Sequence, residues 1–150
     1  MKIKIEVDES TKEDEIILRC KNFDTRFIEI QKALEDILNK KSKIIFYKDE
    51  VEYYFSLENI LFFETEKNII NAHTKDDIYT VKYKLYELEE ILPSQFVRIS
   101  KSTILNINHI YSISRNLTSA SLVQFKNTYK QVYVSRHYYK LLKLKLSERR

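Results

Sequence analysis

The chain has 150 residues, room for one domain or for one domain with a small appendage. Hydrophobic residues make up 43% and charged residues 32%, which provides for a buried core and a polar surface, and no apolar run approaches the roughly 18 residues that span a bilayer. Glycine is absent, proline occurs once (Pro93) and the net charge is +4, so a glycine-rich phosphate loop is excluded and tight turns fall to Asn and Asp.

In chain order, Ile3, Ile5 and Val7 alternate with Lys2, Lys4 and Glu6, which predicts a half-buried strand and is unlike a secretory signal. A cytoplasmic protein is expected. After a polar loop, Glu15–Lys21 predicts a second strand. Cys20 lies in it as the single cysteine. It fits a reducing compartment and is expected to be a small buried hydrophobe. Asp24 to Lys40 reads as a helix, with Asp24 as N-cap and Phe27, Ile30, Leu34, Ile37 and Leu38 on one stripe. Residues 1–42 thus form an expected β-β-α element, too short to bury much alone. It should pack on the rest of the chain or on a second copy.

From Lys43 the pattern changes to short strands rich in β-branched and aromatic residues. Ile44–Tyr47 and Val51–Ser56 predict a hairpin across Lys48-Asp49-Glu50. Ile60–Glu64, Ile69–His73 and Ile78–Val81 predict three more strands, with breaks at Glu66–Asn68 and Thr74–Asp77. Lys84–Leu92 predicts a short helix ended by Pro93, with Leu85, Leu88, Ile91 and Leu92 inward and Glu87, Glu89 and Glu90 on a solvated face. Strands follow at Ile110–Ser114, Ser121–Phe125 and Gln131–Ser135, the last two joined near Asn127-Thr128. An amphipathic helix, Arg136–Leu146, closes the chain with Leu141, Leu142 and Leu146 inward and Lys140, Lys143 and Lys145 outward. The fold class is therefore mainly β with a few helices (α+β).

The net charge hides a polarity. Residues 1–93 hold 15 Lys+Arg against 21 Asp+Glu, a net of −6, whereas residues 94–150 hold 11 against Glu148 alone, a net of +10. Since the second stretch has the apolar content of a folded segment, it points to a basic surface that meets a polyanion. Three segments carry suitable residue types. Glu66-Lys67-Asn68 is a turn whose Asn68 suits an adenine edge. Around Phe96–Asn106, Arg98 and Lys101 can neutralise phosphates, Ser100 and Ser102 can bond phosphate oxygens, and Lys101 also suits a guanine edge. At Ser135-Arg136-His137, Ser135 is a candidate N-cap, the helix start offers free N–H groups, and Arg136 with His137 suits a phosphate or base contact. His73, His109 and His137 are far apart with no further ligand at metal spacing, so neither metal nor cofactor is expected.

Five pieces then resemble, in order, the LytTR family of bacterial transcription regulators, from about Lys43 to Leu146. They are Ile60-Leu61-Phe62-Phe63-Glu64, the helix Leu85-Tyr86-Glu87-Leu88-Glu89-Glu90-Ile91-Leu92, the signature Phe96-x-Arg98-x-Ser100-Lys101-Ser102-x-x-x-Asn106, Ile110-Tyr111, and Val134-Ser135-Arg136. The resemblance implies an elongated set of small β-sheets whose loops enter successive major grooves. It implies DNA contacts at Lys67 and Asn68, at Ser100-Lys101-Ser102 and at Arg136-His137. The chain departs from the family at Ser100, where a His is usual, and at Thr103, where a larger apolar residue is usual. Losing the His removes a donor from that loop. Residues 1–42 cannot hold the receiver domain many members carry, so the resemblance is to stand-alone members, often found beside a small membrane protein that restrains them.

The function expected is sequence-specific binding of double-stranded DNA, by a homodimer of two-part chains: residues 1–42 for dimer contacts, residues 43–150 for DNA. The alternative is a basic module that docks an acidic protein or an anionic membrane surface through the last helix. No catalytic triad, metal set or nucleotide loop supports an enzyme.

Overall fold

The computed structural model describes residues 1–38 and 44–148, and the chain divides into two compact units, Met1–Ile37 and Leu38–Arg150. The expected boundary at residues 42–43 and the expected helix end at Lys40 lie outside the described residues.

The first unit corrects the β-β-α expectation. Helix α1, Thr25–Leu38, is present, and the Asp24 carboxylate accepts from the backbone N–H of Arg26 at 3.0 Å and of Phe27 at 3.4 Å. The two strands are not. Residues 1–24 form no ladder among the described residues, and Ile3, Ile5 and Val7 are 85–93% exposed. Alternation specifies which side chains share a face, but a strand persists only where a neighbouring backbone takes its N–H and C=O groups, and an isolated short pair is marginal in water. Cys20 is likewise exposed rather than buried, since the strand that was to bury it is absent. Along α1, Phe27, Ile30 and Leu34 are half-buried, while Ile37 and Leu38 are exposed.

The second unit is built on a seven-stranded antiparallel sheet. Its strands in chain order are β1 (Phe46–Lys48), β2 (Val51–Tyr53), β3 (Phe62–Glu66), β4 (Ile69–His73), β5 (Ile78–Val81), β6 (Phe96–Arg98) and β7 (Thr103–Asn106). They lie in the order β2-β1-β5-β4-β3-β7-β6. A three-stranded sheet follows, β10-β9-β8, from β8 (Ile110–Ser114), β9 (Ser121–Phe125) and β10 (Gln131–Val134). Helix α2, Leu85–Ile91, joins β5 to β6, and α3, Arg136–Ser147, ends the described chain.

The centre of the large sheet is covered on both faces, which explains why the adjacent pairs Phe62-Phe63 of β3 and Ile104-Leu105 of β7 are apolar and buried together rather than alternating. Phe63 and Ile104 point into one core with Phe46, Ile70 and Leu88 of α2. Phe62 and Leu105, one residue away on the same strands, point into a second core with Val123, Phe125, Val134 and Leu142 of α3. In α3 the inward stripe is Tyr138, Leu142 and Leu146; Leu141, expected inward, sits about 100° off it and is 41% exposed.

Without glycine, the two-residue hairpin turns place residues with a Cβ at positive φ. Asp49-Glu50 (φ 52 and 66) closes β1–β2, and Lys67-Asn68 (φ 50 and 66) closes β3–β4. Both residues of such a turn take positive φ so that its twist matches that of the strands. Asp49 and Asn68 suit this conformation; Glu50 and Lys67 adopt it at a local cost.

The two sheets are stitched where the β9–β10 turn meets the β4–β5 loop. Lys130 Nζ donates to the carbonyl oxygens of Thr74 (2.8 Å) and Asp77 (2.9 Å) and lies 3.3 Å from His73 Nδ1. His73 Nε2 in turn lies 3.0 Å from Glu64 Oε1. Burial, with the Lys130 charge beside it, pushes His73 down to about 4. The ring is therefore neutral near pH 7, and its bond to Glu64 is a hydrogen bond from Nε2–H to a carboxylate rather than an ion pair. Nδ1 is left to accept from Lys130. Burial also raises Glu64 and lowers Lys130.

Candidate nucleic-acid interface

The three segments singled out from the sequence are dozens of residues apart along the chain, and the fold brings them to one end of the large sheet. The β3–β4 turn places Lys67 and Asn68 at that end, both exposed. Strand β7 runs antiparallel to β3, with Thr103 opposite Glu64, and Thr65 N–H donates to the Ser102 carbonyl at 2.8 Å. The loop Ser100-Lys101-Ser102 is thereby the neighbour of the Lys67-Asn68 turn. On its other side, Ser135 N–H donates to the Ile99 carbonyl at 2.9 Å, which fastens the start of α3 beside the same loop. Two backbone bonds thus carry the convergence.

Each loop is shaped by local chemistry. Ile99 is fully buried and roots the central loop in the second core. Ser100 Oγ accepts from Ser102 N–H at 3.2 Å, a side-chain-to-backbone turn that does without glycine. Lys101 and Ser102 are exposed and Ser100 is half-buried. Ser135 is the N-cap of α3, its Oγ accepting from Tyr138 N–H at 3.4 Å. The N–H groups of the first turn that no carbonyl can reach stay directed outward with the positive end of the helix dipole. Arg136 and His137 follow, both exposed. Among the described residues no acidic side chain pairs with Lys67, Lys101 or Arg136.

Arg98 stands apart from the other eight residues. Its Nε–H donates to the Ser100 carbonyl at 2.7 Å, its Nη1–H to Glu89 Oε1 at 2.6 Å, and its Nη2–H to the Lys101 carbonyl. Glu89, expected on a solvated face of α2, is the partner that holds it. Asn106, the last residue of the signature, is also internal. It is fully buried, its Nδ2 donates to the Ile60 carbonyl at 3.0 Å, and its Oδ1 accepts from Asn108 N–H at 3.0 Å. Glu87 accepts from Lys84 N–H at 3.0 Å and caps α2.

The same end of the sheet holds cations that the sequence reading did not single out. Strand β5 pairs Val81 with Ile70, so Lys82 and Lys84 emerge next to Asn68 and line a shallow groove with it. Lys82 Nζ rests 4.3 Å from the Tyr47 ring centre. Along α3, Arg136, Lys140 and Lys143 recur at i, i+4 and i+7 and form one exposed stripe. Nothing in the local sequence marks Lys82 or Lys84; only strand pairing joins them to Asn68.

Comparison with known proteins bears on the family and the fold. The model of the LytTr DNA-binding domain matches residues 51–147, more than half of the chain. An HTH-type transcriptional regulator of Staphylococcus aureus strain NCTC 8325 is 27% identical over 147 residues, covering 98% of this chain and 99% of its own length. One from strain MRSA252 is 26% identical over the same share. Among solved structures, a LytTr DNA-binding domain from Bacillus cereus is similar with a TM-score of 0.64 and 25% identity, covering 70% of this chain and 96% of that one. Although those relatives are named for a helix-turn-helix, α2 and α3 here are separated by five strands, and no two described helices are joined by a short turn.

Proposed function

The chain belongs to the LytTr DNA-binding domain family, and on that premise we propose that it is a transcription regulator that reads duplex DNA with three loops at one end of its large sheet. It binds double-stranded DNA in a sequence-specific way. In this reading Lys67, Asn68, Ser100, Lys101, Ser102, Ser135, Arg136 and His137 meet the DNA. Lys67, Lys101 and Arg136 displace counterions from phosphates, the serines and the first amides of α3 bond phosphate oxygens, and Asn68 with Arg136 or Lys101 faces base edges. The single observation that carries it is the convergence through the Thr65–Ser102 and Ser135–Ile99 bonds, because it collects on one rim amides and cations that have no acidic partner among the described residues. No chemical step is assigned to the protein.

The test is selection of bound duplexes from a random pool, followed by mobility shift on selected and random sequences and flotation with anionic vesicles. Preference for one duplex family supports the reading. Vesicle binding without duplex binding would instead favour a membrane-docking module built on α3.

We further propose that the protein acts in the cytoplasm as a homodimer, with the first unit supplying the contact. Supporting this, Ile3, Ile5, Val7, Ile16 and Ile17 are all at least 60% exposed, apolar surface that a second copy could cover. A chain shortened to begin at Lys43 should sediment as a monomer. If it sediments as a dimer, the first unit has another role.

A further inference from the structure

The loop Ser100–Ser102 has to hold one shape to read one sequence, and it contains no proline, no glycine and no disulfide. Besides the Ser100 Oγ–Ser102 N–H turn, one side chain from outside the loop binds its carbonyls. We propose that Arg98, braced by Glu89 of α2, is a positioning residue that determines sequence preference by setting the shape of this loop without itself touching DNA. The proposal rests on the DNA-binding reading above.

The geometry supports it at each of the three guanidinium nitrogens. A guanidinium is a rigid planar fork, so three acceptors around it fix one another's positions. Two are the consecutive carbonyl oxygens of Ser100 and Lys101, and the third is the Glu89 carboxylate. Within a trans peptide the C=O and the following N–H point in opposite directions, and the chain has no cis bond among the described residues. Turning the Ser100 carbonyl onto Arg98 therefore turns the Lys101 N–H away from it. The Arg98 side chain is only 19% exposed, whereas a phosphate-binding arginine needs its fork in solvent. Glu89 cancels its charge and holds the fork to α2, which is packed on the large sheet by Leu85 and Leu88. The recognition loop thus takes its shape from a helix on the other side of β6. The motif residues Glu89 and Arg98, nine positions apart, form one device.

A lysine keeps the charge but puts all its donors on one nitrogen, which cannot stand where Nε, Nη1 and Nη2 each meet a separate acceptor, and this separates positioning from phosphate contact. For the wild type, Arg98→Lys, Arg98→Ala, Glu89→Ala and Glu89→Gln, three quantities decide the matter: affinity for the selected duplex relative to random duplex, the salt dependence of binding, and the backbone ¹⁵N order parameters of residues 100–102 in the free protein. Arg98→Lys and Glu89→Ala should each cut the preference for the selected duplex by about tenfold, the scale of one base-edge interaction, and leave the salt slope unchanged. Both should lower the order parameters of Ser100–Ser102 toward those of a flexible loop. Glu89→Gln, whose amide oxygen still accepts from Nη1–H, should retain most of the preference and the order. The proposal is overturned if Arg98→Lys keeps the preference while Arg98→Ala weakens both duplexes equally and reduces the salt slope by about one, the signature of a phosphate contact. It is equally overturned if Glu89→Ala leaves preference and loop order intact. A melting scan excludes global unfolding as the cause. Should the wild type prefer no duplex at all, the DNA reading itself fails and with it the claim on preference, while the order parameters still decide whether Arg98 sets the loop.

Discussion

The two ends of the seven-stranded sheet use the same residue types for opposite purposes. At one end, Lys67, Lys101 and Arg136 extend from loops without an acidic partner among the described residues. At the other, Lys130 is drawn against His73 and two carbonyls, and Lys48 pairs with Asp77 at 2.6 Å. A lysine whose ammonium is desolvated and surrounded by acceptors becomes a rivet, and its charge is spent on neighbouring dipoles. One left in water keeps its full charge for a polyanion. The difference lies in the backbone around each cation: the β9–β10 turn closes onto a loop that offers carbonyls, while the carbonyls around the central recognition loop are taken by Thr65 N–H, Ser135 N–H and Arg98.

This contrast makes the two ends separable by mutation. The largest effect is expected at the recognition end. Lys101→Ala with Arg136→Ala should weaken binding to a selected duplex by at least about a hundredfold, and the slope of log affinity against log salt should fall by about one for each phosphate no longer neutralised. The melting temperature should stay near that of the wild type, since neither side chain has an acidic partner among the described residues; binding equal to wild type would break the assignment.

Next comes acid. His73 titrates near 4 in the fold and near 6.5 when unfolded, so between those values the unfolded chain holds more protons. Stability is therefore unaffected by this group above about pH 6.5 and falls as the pH drops toward 4, by up to about 3 kcal/mol. Glu64, raised in the fold, works in the opposite sense over its own acid range and offsets part of the loss. Denaturant melts at pH 7 and pH 5 read the slope, and His73→Gln should flatten it.

A smaller effect is expected for Lys130→Met, which removes the donor to Thr74 and Asp77 and should cost about 2 kcal/mol. It should also let His73 titrate closer to its ordinary value, because the neighbouring positive charge is gone; an NMR titration of the ring checks this. Operator affinity of the folded variant should be unchanged, and a parallel loss would mean that the two ends are coupled.

The smallest change in stability is expected for Asn68→Gly. It relieves a left-handed residue in the β3–β4 turn and should be neutral or stabilising by about 0.5 kcal/mol, yet lower the preference for the selected duplex if Asn68 faces a base. Unaltered preference would remove Asn68 from the reading surface and leave it as a turn residue.

Most strands and both helices of the second unit were legible because their apolar periodicity matches their burial: β4 was expected at its observed bounds, and α3 differs only by an added Ser147, whereas β6 and β7 lie in a stretch of mixed pattern that predicted no strand. The three candidate segments were legible too, since cations, serines and a helix cap sit together in short stretches, and the resemblance to the LytTR family rests on those same residues. The first unit was misread where pattern was taken for pairing. Ile3, Ile5 and Val7 alternate, but alternation says nothing about whether an edge exists to receive them, and for the same reason Cys20 lies exposed.

By itself the sequence determined the α+β class, the two-part charge distribution, the hairpin turns forced onto non-glycine residues, and the family. Only the tertiary structure decided that Lys67, Lys101 and Arg136 share a rim, that Lys82 and Lys84 emerge beside Asn68, that Lys130 is withdrawn from the cationic surface, and that Arg98 turns inward to Glu89. Periodicity and composition are short-range properties that each segment carries with it. Which cations remain free depends on contacts between residues dozens of positions apart, and those exist only after strand pairing and desolvation have assigned every donor an acceptor.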